Sequence, residues 1–462
     1  MRRIALGINQ GFLALILALS LVSLPFVESA FADVRKADIV LSETIDSRGL
    51  SVADCPNIDA DYAIVMDGEG TVYFERDATT PTQIASITKV MTAIVAIEAA
   101  TSETQIVVSE RAATVGESSA YLETGDKLSF DAALEALMLS SGNDAAIALA
   151  ESIGSLLSGG EVQGYEAEQV FVERMNEKAA ELGLVDSVFT NPHGLDNGEF
   201  AGDQHSCALD VATMSKAAMD YPAFREVVAM PQATIPLTKA DGSAGSTLLE
   251  STNYLLGTYE GNAGIKTGHT NLAGYCFAGV SVRDDRDIYT VVLKAVDENT
   301  RFGDTRSLCD WIYGHTTSYP LVHSKQFMTA SIGGDTAEVP IVAEVAHSDW
   351  VDKTVKATLA DPAQELVIFD LSGNISQTVV FDTLEGHVKA GDKVGTITFK
   401  QRNEVIAVAD MVACEDVDAP GFLDSIGIWW DRFFKGFSGQ PKVADSIVIN
   451  ETPLVNIKQG TE

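Results

Sequence analysis

The stretch "IASITKVMTAIVAIEAA", Ile84 to Ala100, constrains this chain more than any other. From Val90 onward it is almost wholly apolar, which predicts a buried helix, yet Ser86 stands near its start and Lys89 one turn later. An ammonium group is expensive to desolvate. Either the lysine escapes to solvent at the helix end, or something there needs an amine beside a hydroxyl. Positions i and i+3 share one helix face, so Lys89 can aim its amine at the Ser86 hydroxyl. A serine hydroxyl is a weak nucleophile until a base lies within hydrogen-bond reach. Burial and nearby positive charge would keep the amine neutral enough to serve, and the helix start favours negative charge developing on Ser86. Taken alone, the four residues also fit an N-cap serine followed by a surface lysine.

The rest of the chain frames that helix. "YAIVMDGEGTVYFERD" reads as two strands joined by a turn. Helical patterns follow at Val90–Ala100, Phe130–Leu139, Asp144–Ile153, Glu168–Leu182 and Ala208–Met219, interrupted by the loop-rich "FTNPHGLDNGEFAGDQHS". "AGYCFAGVSV" and "IYTVVLKAV" form a hairpin across Arg283–Asp287, and a helix at "DTRSLCDWIYGH" closes the region. Strands at both ends with helices between predict an α+β domain: one antiparallel sheet built from the two ends, carrying a helical lobe. Short β-branched runs then predict a small all-β domain over 319–418. In "LDSIGIWWDRFFKGF" the large apolar residues recur at helical spacing opposite Asp424, Asp431, Arg432 and Lys435. This amphipathic helix, within 419–440, either packs on its own β domain or lies in a membrane surface through residues 422–437. Residues 441–462 read as a flexible tail.

Arg2, Arg3, a long apolar run and "AFA" at Ala30–Ala32 predict a signal peptide over 1–32, with an uncleaved membrane anchor as the alternative. The mature chain then works outside the cytoplasmic membrane. A net charge of −35 makes nucleic acid a poor partner. Five cysteines without CxxC spacing argue against zinc and redox motifs, and Cys276 and Cys309 read as buried thiols.

Two further motifs carry chemistry. Ser141-Gly-Asn143 falls at a break between helices, where Gly142 lets the chain turn and expose both polar side chains. Lys266-Thr-Gly268 leads into a strand; Lys266 offers a fixed positive charge, Thr267 a hydroxyl, and Gly268 room for a substrate against the strand edge. A helix connection and a glycine turn would explain each singly. S-x-x-K, S-x-N and K-T-G in this order are the signature of the penicillin-recognising serine acyl-enzymes.

Within that group the chain resembles the D-alanyl-D-alanine carboxypeptidases, the low-molecular-mass penicillin-binding proteins. The resemblance rests on "IASITKVMTAIVAIE", "LMLSSGNDAA", "FVERMNEKAAELGL", "FTNPHGL" and "GIKTGHTNLAGYC", over roughly Ala60 to His315. It implies a β-lactamase/transpeptidase-like catalytic domain over 33–318 that removes the terminal D-alanine from peptidoglycan stem pentapeptides. Ser86 would be the nucleophile, Lys89 the base, and Ser141 a proton relay. Asn143 would hold the substrate amide, the backbone N–H groups of Ser86 and His269 would form the oxyanion hole, and Lys266, Thr267 and Arg301 would bind the terminal carboxylate. Arg301 read from its loop sequence alone is equally a solvated charge. The likeness further implies covalent inhibition by β-lactam antibiotics, no metal or organic cofactor, and attachment of the terminal helix to the outer face of the cytoplasmic membrane.

Three alternatives stand beside this reading. A class A β-lactamase needs a glutamate to activate its deacylating water, and the candidate, Glu173, falls in a strong helical pattern. His193 in the corresponding loop is either functional or stabilises a turn. A non-catalytic sensor or scaffold would have lost the serine or a lysine, and all are present. Endopeptidase or transpeptidase activity depends on cleft walls that the sequence does not reveal.

Overall fold

The computed structural model describes residues 34–332 and 335–455; the expected signal peptide lies outside them. Two compact units divide after Asp310, inside a helix and a little before the boundary expected at 318.

The first unit is built on a seven-stranded antiparallel sheet. Strands β1 (Tyr62–Asp67) and β2 (Val72–Arg76) form the N-terminal hairpin; β3 (Asn262–Thr270), β4 (Gly274–Arg283) and β5 (Arg286–Ala295) come from the far end of the unit. Beyond two short edge strands, Glu43–Thr44 and Ile39–Val40, the order β2-β1-β5-β4-β3 joins the two ends through β1 and β5, with Ile64 opposite Val291. Ala63 to Met66 are all buried, so β1 is covered on both faces, as its unbroken apolar run requires. Asp284 and Asp285, both at positive φ, make the two-residue turn of the β4–β5 hairpin.

The lobe contains α1 (Lys89–Ala99), α2 (Phe130–Met138), α3 (Asn143–Leu157), α4 (Gly164–Glu181) and α5 (Ala208–Met219). Helix α3 buries every residue from Asn143 to Glu151, which makes it the lobe's central rod. A Cβ on Gly154 would stand 1.8 Å from the Ala167 carbonyl oxygen, so only glycine lets α3 and α4 cross there. One core cluster runs from the sheet (Ile64, Val291) into the lobe (Ile94, Leu137, Ile147, Phe171, Met214). A hairpin of Gln232–Thr238 with Ala244–Glu250, absent from the sequence reading, continues a small sheet in the lobe. Its first strand, QATIPLT, alternates polar and apolar residues, but Pro236 argues against a strand and the second, AGSTLLE, is weakly patterned in sequence. Helix α6 (Glu298–Gly314) follows β5.

The second unit is all-β in its core. Its six-stranded sheet runs in the order Ile375–Phe381, Lys393–Gln401, Glu404–Ala413, Thr354–Leu359, Ala343–Ala346, Ile447–Val448. The last strand corrects the expected flexible tail. Ile447 pairs with Glu344 and Val448 with Ala343. Asn450 is buried, donates to the Leu321 carbonyl at 3.0 Å and accepts from the His323 N–H at 2.7 Å. The β-branched run Ile447-Val448-Ile449 is too short to stand out among its Asp, Ser, Asn and Pro neighbours. With Ile447 and Val448 exposed, the strand is held by backbone pairing and the Asn450 amide rather than by apolar burial.

Helix α7 (Phe422–Ser438) has no buried residue. Phe422, Leu423, Ile426, Trp429, Trp430, Phe433, Phe434 and Phe437 are 45–82% exposed. Its more covered line is Ile428, Arg432 and Lys435, and Arg432 donates to the carbonyl oxygens of Ser348 (2.5 Å) and Trp350 (3.1 Å). The apolar stripe thus faces away from the β sheet. Among the described residues no helix is long and apolar enough to cross a membrane. All five cysteines are free and buried.

Candidate active site

Ser86 does not sit on the α-helix itself. It occupies a 3₁₀ turn, Ala85–Thr88, that leads into α1, with Lys89 as the first helical residue. The turn places the amine on the hydroxyl's side: Lys89 Nζ lies 2.9 Å from Ser86 Oγ. Ala85 holds φ +50°, a conformation that costs a non-glycine residue about 1–3 kcal/mol and that the packing must enforce.

Lys89 is fully buried, and two acceptors claim its other directions: Asn143 Oδ1 at 2.7 Å and the His193 carbonyl at 2.8 Å. The Asn143 amide is oriented by its Nδ2 donating to the Gly116 carbonyl at 3.0 Å. Burial, with the charge of Lys266 adding to it, pushes the Lys89 amine well below the ordinary lysine value, against the pull of Asp144. A neutral amine spends two N–H groups on the two acceptors and turns its lone pair to the serine hydroxyl. A charged one donates its third N–H there. The cage fits both states, which is what a group that takes and returns a proton needs.

The structure corrects the reading of the second motif. Ser141 and Asn143 are buried rather than exposed, facing inward to the lysine and the cleft. Gly142 has an ordinary negative φ; a Cβ there would meet the Asp144 carboxylate at 2.5 Å. Ser141, at φ +57°, takes the strained position. Asp144, which the sequence reading passed over, accepts from Ser119 Oγ (2.6 Å) and from the N–H groups of Ala120 (3.0 Å) and Leu122 (3.1 Å). It thereby fixes the loop whose Glu117 and Ser118 form a cleft wall.

The third motif lies on β3. A Cβ on Gly268 would stand 2.6 Å from the Ile84 carbonyl oxygen and 3.3 Å from the Ser86 nitrogen. Gly268 is thus required for strand and serine turn to meet, and it also stands on the cleft wall. Lys266 is buried and donates to the Thr267 carbonyl at 3.0 Å; burial first and Arg301 second lower its pKa to about 7. Its charge is thus held less firmly than that of an exposed lysine. Thr267 Oγ1 lies 2.6 Å from Thr252 Oγ1. His269 is exposed on β3, its ring 4.1 Å from that of Tyr275. Arg301 is no solvated loop charge: it sits on α6, is 4% exposed, and donates to the Gly268 carbonyl and to Glu298.

A cavity of about 280 Å³ gathers Ser86, Ser141, Asn143, Thr267, His269 and Arg301 on its walls. Behind it lies the Phe189–Leu195 loop. Its Pro192 carbonyl accepts from Thr92 Oγ1 at 2.6 Å, and its His193 carbonyl is the Lys89 partner already described. The His193 ring stabilises a turn: Nδ1 accepts from the Leu195 N–H at 3.1 Å, and burial holds the imidazole well below its usual pKa. Glu173 is exposed on α4 and lies outside the cavity. No side-chain pattern could have announced the two carbonyls.

Lys266 itself lies behind the cavity wall, beneath Thr267. An amine caged against a hydroxyl, with an arginine on the cleft wall, on a sheet that carries a helical lobe, defines a penicillin-binding serine hydrolase. Residues 50–297, more than half the chain, match the family model described as D-alanyl-D-alanine carboxypeptidase, and the chain belongs to that family of enzymes acting on peptidoglycan. It is 27% identical to the D-alanyl-D-alanine carboxypeptidase DacF of Bacillus subtilis over 79% of this chain and 87% of that protein. The crystal structure of the Streptomyces K15 DD-transpeptidase matches with TM-score 0.52 and 28% identity, covering 56% of this chain and 98% of that one. The D-alanyl-D-alanine carboxypeptidase DacD of Francisella tularensis shares the fold with TM-score 0.53 and 24% identity over 80% of this chain and 96% of its own.

Proposed function

We propose that Ser86 is the acyl nucleophile and Lys89 its general base in releasing the terminal D-alanine from stem pentapeptides. The 2.9 Å contact of a buried, pKa-depressed amine with the serine hydroxyl carries this reading. Ser86 Oγ attacks the carbonyl between the two D-alanines while Lys89 takes the hydroxyl proton. The oxyanion is held by the N–H groups of Ser86 and His269; one such donor contributes about 3–4 kcal/mol. As the intermediate collapses, the C–N bond breaks, Ser141 passes its proton to the departing amine and is reprotonated from Lys89, and D-alanine leaves. Asn143 holds the substrate amide, and Lys266, Thr267 and Arg301 grip the terminal carboxylate. Water then cleaves the ester and restores Ser86. The enzyme is exported and rests on the outer face of the cytoplasmic membrane through the aromatic stripe of α7.

Replacing Lys89→Arg keeps a cation but removes a base that can become neutral. D-alanine release from diacetyl-Lys-D-Ala-D-Ala should fall by about 10²–10⁴-fold, with the circular-dichroism spectrum unchanged. A folded Lys89→Arg variant with near wild-type release would remove Lys89 from the base role.

A further inference from the structure

The Arg301 guanidinium is boxed in. The Tyr275 and Phe302 rings lie 5.5 and 4.8 Å from it, Nη1 donates to the Gly268 carbonyl at 3.3 Å, and Nε is buried without a partner among the described residues. It cannot turn to meet a ligand, so a carboxylate must come to it from the cleft. On that side Nη2 already donates to Glu298 at 2.8 Å. Glu298 lines the same cavity, and its side chain is 48% exposed, so it has room to swing away. Three basic side chains are buried about the site, and of these Arg301 alone stands on the cavity wall, with Lys89 and Lys266 set behind it. The carboxylate of Asp144 is committed to the Ser119–Leu122 loop, which leaves Glu298 as the group that balances Arg301.

We infer that Glu298 is a resident competitor for the substrate's terminal carboxylate: it occupies Arg301 in the empty cleft and must be displaced when substrate binds. The inference rests on the reading that Arg301 binds that carboxylate. Glu298 then sets how tightly carboxylate-bearing substrates are held without touching the reacting atoms. It keeps the cation neutralised and in place while the cleft is empty, at the expense of affinity. A substrate lacking the terminal carboxylate gains nothing from Arg301 and should be indifferent to Glu298.

The test compares Glu298→Gln with wild type on diacetyl-Lys-D-Ala-D-Ala, on the same peptide with an amidated C-terminus, and on benzylpenicillin, which also carries a carboxylate. A half-exposed ion pair corresponds to about a two- to fivefold effect. The expected result is a KM lower by that factor for the free-acid peptide with kcat unchanged. Penicillin acylation should accelerate by a similar factor, and the amidated peptide should show no change. In an Arg301→Ala background, itself raised in KM, Glu298→Gln should have no further effect. An unchanged or raised KM in Glu298→Gln, with Arg301→Ala still raising KM, would overturn the competitor role alone. An Arg301→Ala variant with unaltered KM would overturn the carboxylate reading of Arg301 together with the inference.

Discussion

Lys89 and Lys266 are both buried and both depressed, but their roles require opposite protonation states. Lys89 acts when neutral, so turnover should rise with pH as its amine loses the proton. Lys266 binds a carboxylate only when charged, and its pKa stands at about 7. The free enzyme therefore loses its grip on a carboxylate substrate as pH rises through about 7. A bound carboxylate restores the charge by raising that pKa, so the fall belongs in kcat/KM rather than in kcat. The pH profile of kcat/KM should show a descending limb near 7 that Lys266→Arg abolishes, because a guanidinium stays charged. A limb that persists in Lys266→Arg would assign it to another group. At this scale most of the site was legible in the sequence: S-x-x-K, S-x-N and K-T-G are side-chain signals at fixed spacings. The lowered pKa of Lys266 was not, because it depends first on burial and then on Arg301, both of which arise only in the fold.

The elements that hold these side chains meet at the Ser86 turn. Strand β3 touches it through Gly268, and the Phe189–Leu195 loop touches it through Gly194, which has φ +91° and whose Cβ would lie 2.0 Å from the Ala85 carbonyl oxygen. Gly194→Ala must push the loop off the turn and draw the His193 carbonyl away from Lys89. The expected outcome is a loss of about 1–3 kcal/mol of stability, read as a lower melting temperature. Penicillin acylation should slow by more than tenfold. Wild-type acylation in Gly194→Ala would mean that the loop does not position the amine. The sequence marked this loop as irregular through its Asn, Pro and Gly residues, and its role in presenting a carbonyl acceptor to the Lys89 amine stayed hidden. Helices announced themselves by apolar periodicity, whereas the Gln232–Glu250 hairpin was missed, since Pro236 interrupts an otherwise alternating first strand and the second strand, AGSTLLE, is weakly patterned.

On the scale of the whole molecule, the amphipathic helix is part of the second unit rather than a trailing end. The chain enters it from Glu404–Ala413 and returns to the same sheet at Ile447–Val448, while Arg432 ties its polar side to the Ser348–Trp350 loop. A helix fixed at both ends presents its aromatic stripe in one direction, which suits a membrane surface. Trp429→Ser, Trp430→Ser, Phe433→Ser and Phe434→Ser together should weaken partition into phosphatidylcholine vesicles at least about a hundredfold, with turnover of a soluble peptide unchanged. Because Asp424, Asp431, Arg432 and Lys435 nearly cancel, binding should change little with salt. Equal partition of the fourfold variant would remove the anchor. The central claim, that this fold assembles an acylating Ser86, is tested most directly by mass spectrometry of the intact protein and its peptides after incubation with benzylpenicillin. The account predicts one penicilloyl adduct, on the peptide containing Ser86, that persists for many minutes and is absent from Ser86→Ala. An adduct on another residue, or none on a folded protein, would contradict it.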